Sequence, residues 1–225
     1  MWRIVLLCGL LSFTLSAKAG SEGYNRVDFQ VEASREIAND LLTASLSAEI
    51  QDKQPARVAQ QLNSILNDAL RLSAAFSGVK VSSGNQRTYP VYGKNNQISG
   101  WRGRGEIHLE SRDFKSAGEL IMLLQTSMQL GSVQFSISTE TRSQTENTLI
   151  TEAIKAFQLR SEAIRTATGA KSYKTVHFSI NQNGMPQHFP VALMRAAADS
   201  AIPAPEFAAG DSRLTVQING TIELQ

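Results

Sequence analysis

Three histidines and one run of glycines are where this sequence could do chemistry. Glu106, His108 and Glu110 recur at every second position, and residues so spaced on a strand project from one side. Two carboxylates and an imidazole on one side form a conceivable site for a divalent metal. Arg102 and Arg104 continue the same alternation, however, and a second histidine at ligand spacing is missing. A solvated row of cross-strand ion pairs therefore accounts for these residues better. His177 falls with Tyr173 and Ser179 on the polar side of another alternating run, and His188 stands between Pro186 and Pro190. Either could act as a general base for a serine, so a hydrolase or metal-dependent enzyme using His108 or His177 is the catalytic alternative. No Gly-x-Ser-x-Gly elbow is present, and Ser, Thr and Asp are scattered without the arrangement of a triad. Gly100, Gly103 and Gly105 could suggest a phosphate loop, but they interrupt a strand pattern and no helix follows at the required distance. Glycine beside Trp101 instead permits a bulge or a close approach of a neighbour. No catalytic residue, metal ligand or cofactor emerges.

What remains distinctive is the stretch from Val79 to Leu109. Val79 and Val81 open it, Tyr89-Pro90-Val91-Tyr92 closes its first arm, and Ile98-Ser99-Gly100-Trp101-Arg102 opens its second. Two extended arms around Gly93-Lys94-Asn95-Asn96 predict a long hairpin. Tyr89, Pro90, Tyr92, Gly100 and Trp101 are the candidate interface or assembly residues, since aromatic side chains are enriched where proteins meet. The plainer account is that the aromatics cap the core.

The surrounding elements can be read from periodicity. Val27, Phe29, Val31 and Ala33 alternate with polar residues, as do Leu42, Ala44, Leu46, Ala48 and Ile50, and the two runs together predict an antiparallel hairpin. Pro55 suits the first position of a helix carrying Val58, Leu62, Ile65, Leu66, Ala69, Leu72 and Phe76, closed by Gly78. Asp113 can cap a second helix with Phe114, Ala117, Leu120, Ile121, Leu124 and Met128 inward, broken by Gly131. Val133, Phe135 and Ile137 predict a strand. A third helix over 145–168 carries Ile150, Ala153, Ile154, Phe157, Ala163, Ile164 and Ala167, with Gly169 as its stop. Lys174, Val176, Phe178 and Ile180 then alternate with Tyr173, Thr175, His177 and Ser179. A final strand carries Leu214, Val216, Ile218 and Ile222. Mostly hairpin-type connections argue for an α+β fold: a largely antiparallel sheet of about seven strands with three main helices packed on one face.

The ends and the composition set the compartment. Residues 1–19, with an apolar run from Ile4 to Leu15 and then Ser16-Ala17-Lys18-Ala19, match a secretory signal peptide cleaved after Ala19, which predicts a periplasmic protein. The apolar run falls short of the roughly 20 residues that cross a bilayer, so no transmembrane segment is expected in the mature chain. The single cysteine, Cys8, lies inside this segment, so the mature chain would hold neither disulfide nor thiolate site. The formal net charge of +2 vanishes once Arg3 and Lys18 are removed. A balanced surface gives no electrostatic case for nucleic acid. Residues 20–225 suffice for one α+β domain, with an irregular proline-containing segment at 185–210.

Tyr89-Pro90-Val91-Tyr92 with Ile98-Ser99-Gly100-Trp101, the Asp40-Leu41-Leu42 strand start, and the helix bearing Ala153, Ala156, Ala163 and Ala167 that runs into Gly169 together resemble the SIMPL-domain family. The likeness runs from Val27 to the C-terminus. Trp101 stands where tyrosine is more usual, and Met185 to Gly210 matches nothing in the family pattern. The resemblance implies an α+β domain, a bacterial envelope location, ring-like self-assembly in some members and an association with stress defence. It implies no catalytic residue and no cofactor. The expected function is therefore that of a non-enzymatic periplasmic protein acting by self-assembly or by binding an envelope partner, with a periplasmic small-ligand carrier as a further alternative.

Overall fold

A computed structural model describes residues 25–182, 187–188 and 208–225. The candidate signal peptide at 1–19 and most of the segment 185–210 lie outside the described residues. In chain order the elements are β1 (Arg26–Ala38), β2 (Leu41–Asp52), α1 (Pro55–Ser73), β3 (Val79–Tyr92), β4 (Ile98–Ser111), α2 (Phe114–Leu124), β5 (Gln129–Ser136), α3 (Thr139–Thr168), β6 (Tyr173–Gln182), β7 (Gln187–His188) and β8 (Asp211–Leu224). The fold is α+β with every strand pairing antiparallel, but the expected single sheet is two. One has the order β3-β4-β2-β5. The other has β8 between β1 and β6, with the two-residue β7 beside β8.

The expected hairpin of the first two strands does not form. β1 pairs along its whole length with β8, whereas β2 pairs with β4 and β5. Two alternating runs in succession carry no information about their partners. The link Asn39-Asp40 is spent on contacts other than a tight turn, so β1 and β2 part into different sheets.

Each sheet buries one side under helix. Leu42, Ala44, Leu46, Ala48, Ile107 and Leu109 meet Leu62, Leu66 and Ala69 of α1 and Ala117, Leu120, Ile121 and Leu124 of α2. Each fully buried Leu or Ile there contributes on the order of 1.5–3 kcal/mol of transfer free energy. Pro55 sits at the start of α1, and Asp113 caps α2 by accepting the Ser116 N–H at 3.0 Å. α1 ends at Ser73, ahead of Gly78, and Gly131 lies inside β5 instead of ending α2.

The second core joins α3 to β1 and β8 through Leu149, Ala153, Phe157, Val31, Leu214, Val216, Ile218 and Ile222. So the helices divide, α1 and α2 lying on one sheet and α3 on the other. α3 begins six residues before the expected start because Ser138 caps it, its side chain accepting the Thr141 N–H. The polar residues 139–148 hide that turn from periodicity. The buried stripe is narrower than expected, Leu149, Ala153, Phe157 and Ser161, while Ala163 and Ala167 face solvent. Buried Ser161 is satisfied by donating to the Phe157 carbonyl at 2.8 Å. Gly169 closes the helix with φ 72°, the left-handed conformation that glycine adopts without penalty.

The chain crosses between the sheets twice, and both crossings meet at one polar cluster. Asp40 accepts the Ser138 N–H at 2.6 Å, the Ser138 hydroxyl at 2.7 Å and the Thr141 hydroxyl at 2.6 Å. Neighbouring Asn39 donates its side-chain amide to the Ala209 carbonyl at 2.8 Å and accepts the buried Ser212 hydroxyl at 2.7 Å. Burial pushes the Asp40 carboxyl upward, but the bonds from Thr141 and Ser138 outweigh it and hold the carboxyl below its ordinary 3.8.

Two substitutions probe this architecture. A Cβ at Gly103 of β4 would stand 2.4 Å from Val58 Cγ1 on α1. Gly103→Val is therefore expected to cost about 1–3 kcal/mol in denaturant unfolding, with α1 pushed off the sheet. Asp40→Asn should cost about 1.5–3 kcal/mol through loss of charged acceptors. Because the folded carboxyl titrates below the unfolded one, its stabilisation is complete above about pH 4 and disappears as pH falls through the folded value. A stability-against-pH profile should thus lose part of its acid limb in Asp40→Asn, and an unchanged limb would show that the cluster does not hold the crossings.

Candidate functional site

β3 and β4 form the expected long hairpin, and its geometry depends on two irregularities. Ser83 opposes Ile107 and Gln86 opposes Gly105, so β3 carries one extra residue around Gly84-Asn85. A bulge of this kind exchanges the two sides of a strand. Before it, Val79 and Val81 face the helices. After it Gln86 takes that side, donating to Asn63 of α1 at 2.9 Å, while Arg87 and Tyr89 turn to the side no helix covers. A second shift, between Val91 and Tyr92, places Tyr92 opposite Ile98, and the Ser99 hydroxyl donates to the Val91 carbonyl at 3.0 Å.

The five candidate interface residues do not form one cluster. Tyr89 opposes Arg102 on the uncovered side, whereas Trp101 opposes Pro90 and Asp52 on the helix side and is half-buried. Gly100 is buried, and a Cβ there would lie 3.2 Å from the Asp52 carbonyl oxygen. The last residue of β2, Asp52, pairs with Trp101, so the arms beyond that point project past β2 around the turn Gly93–Gln97. Asn95 and Asn96 supply the positive φ values of that turn. On this projection Tyr92 is 56% exposed and Ile98 53%, and Tyr89, one row before it begins, is 41% exposed.

The uncovered side of the β3-β4-β2-β5 sheet is polar. Arg104 Nε donates to Glu106 at 3.0 Å, and Arg102 Nε stands 3.3 Å from Glu49. The expected ion-pair row is thus one pair within β4 and one across to β2. His108 lies between Ser45 and Ser82 in register, with its ring over Gly84, where a Cβ would come within 2.6 Å of Nε2. The Ser45 and Ser132 hydroxyls are hydrogen-bonded at 2.9 Å. Thr43, Lys80, Glu110 and Gln134 complete a shallow depression of about 420 Å³. Its groups can hydrogen-bond a polar ligand. Ser45 and His108 sit mid-strand on inner strands, where backbone N–H groups serve the ladders and are not gathered into an oxyanion cradle. Among the described residues no three His, Cys, Asp or Glu side chains converge as a metal-holding group.

His177 lies on the other sheet, opposite Thr221, whose hydroxyl donates to Asp28. A bulge between Thr175 and His177 breaks the expected alternation of β6. Tyr173 therefore packs against the α3 core, and Phe178 shares that side, 5.9 Å from the Phe157 ring centroid. α3 does not cover this strand fully, leaving Val176, Phe178 and Ile180 exposed. Periodicity does not single out Arg87, because its side depends on the bulge at Gly84. A glycine interrupting the alternation of β3 is the signal that could reveal it.

Residues 27–222 match the sequence model of the family described as SIMPL, protein of unknown function (DUF541). No curated protein matches the chain significantly. The match covers most of the chain, which therefore belongs to the SIMPL family.

Proposed function

For this SIMPL-family chain we propose a non-enzymatic role in the periplasm, exercised by self-assembly through the projecting tip of the β3–β4 hairpin, with residues 1–19 as the export signal. The observation that carries the reading is the exposure of Tyr92 and Ile98 on a projection beyond the end of β2, with Tyr89 exposed at its base. Burying such side chains against a partner removes apolar area from water at roughly 25 cal/mol per Å², and a tip fixed by paired strands loses little conformational freedom on docking. An envelope protein is the second occupant the same tip could serve. No helix among the described residues is long and apolar enough to cross a membrane. The association with stress defence rests on the family resemblance.

Light scattering coupled to size-exclusion chromatography on residues 20–225 tests the proposal. The expected result is a mass above that of the monomer that rises with concentration and collapses to the monomer in a Tyr92→Ser, Ile98→Ser double variant of unaltered thermal stability. A monomer at every concentration removes self-assembly. Capture of an envelope protein that the double variant fails to capture would then leave partner docking, and equal capture by both proteins would remove the tip from the function.

A further inference from the structure

The bulge in β3 has an electrostatic result that strand pairing alone would not favour. It brings Arg87 directly opposite Arg104, which is in turn opposite Glu49 on β2. Like charges facing each other across two strands repel, and their Cβ atoms stand about 4.5–5.5 Å apart. One register further on, Arg102 lies between Tyr89 and Gln51. Three guanidinium groups thus occupy two adjacent rows of one solvent-facing side.

The local carboxylates do not use up these donors. Glu106 takes the Nε of Arg104, leaving the terminal nitrogens of that guanidinium without a partner among the described residues. Gln51 takes one terminal nitrogen of Arg102 at 3.1 Å, and the Nε of Arg102 is buried without a hydrogen bond, 3.3 Å from Glu49. Arg87 is exposed and makes no ion pair or hydrogen bond among the described residues. Two carboxylates against three guanidiniums leave one positive charge in excess, centred on the Arg87–Arg104 pair. A tetrahedral oxyanion matches this arrangement, because guanidinium forks present parallel N–H donors at the spacing of phosphate oxygens.

We propose that the uncovered side of the β3–β4 hairpin binds a phosphate group between Arg87 and Arg104, with Arg102 adding charge from the next row. The ligand class is a phosphate ester or free phosphate. The site depends on the bulge and the charge row, and it stands whether or not the hairpin tip assembles.

The test is a titration of the whole chain with inorganic phosphate at constant ionic strength, chloride replacing phosphate, read from the arginine Nε–H resonances. Saturable shifts at Arg87 and Arg104 are expected, with binding weakened at least about tenfold in Arg87→Gln and in Arg104→Gln. Arg87 is exposed, so Arg87→Gln should keep the wild-type melting temperature or exceed it in phosphate-free buffer, as removal of one of two facing like charges predicts. Vesicles of phosphatidylglycerol and phosphatidylcholine separate the sources. Arg87-dependent sedimentation with phosphatidylglycerol assigns a lipid phosphate, and saturable phosphate binding without sedimentation assigns a small soluble one. Shifts that grow linearly, or that are the same in wild type and both variants, would overturn the proposal.

Discussion

A single carboxylate holds the two halves of this molecule in register. Asp40 lies where the chain leaves one sheet for the other, and Ser138 lies where it returns. The Ser138 backbone N–H at the start of α3 finds its acceptor in the side chain of the outgoing crossing. The Ser138 and Thr141 hydroxyls turn to the same carboxylate. The cluster therefore satisfies a helix start, which would otherwise leave donors unpaired, and fixes two connections with one group. Asn39, one residue earlier, does the corresponding work toward β8 through Ala209 and Ser212. Each sheet with its helices has a core of its own, and these short polar residues set how the chain passes between them.

The division of the sheet explains what periodicity can and cannot reveal. Alternation locates β1, β2, β4 and β8 and identifies their buried sides, since burial acts residue by residue. Pairing is a property of two distant segments, and Leu42 carries no mark that distinguishes β4 from β1 as its neighbour. The long hairpin is legible because its arms are joined by a short Gly-Lys-Asn-Asn turn whose asparagines tolerate positive φ. The first turns of α3 are not, because residues 139–144 are all polar and carry no apolar period.

The candidate site depends more heavily on irregular backbone than the core does. The glycines of β4 are packing devices: Gly103 and Gly105 let α1 lie close on the sheet, with Val58 and Leu66 filling the space a side chain would need. The bulges of β3 and β6 re-aim the residues beyond them, Arg87 and Tyr89 in one case and Phe178 in the other. A one-residue insertion leaves composition and period almost untouched, yet it exchanges the two sides of a strand. The aromatic residues of the hairpin therefore stand out in the sequence together but are separated in space, Tyr89 on one side of the sheet and Trp101 on the other.

The pairing of β1 with β8 joins the two ends of the described chain, with Arg26 of one strand bonded to Glu223 of the other. The β3-β4-β2-β5 sheet lies wholly within residues 41–136 and can close its contacts without the rest of the chain. The other sheet cannot, because its central strand β8 comes after every other described element. Until β8 arrives, β1 and β6 have no strand between them and the apolar side of α3 lacks Leu214, Val216, Ile218 and Ile222. The order of folding is therefore written into the topology: one half assembles from near neighbours, and the other waits on the most distant contacts in the chain, the kind that slow folding most.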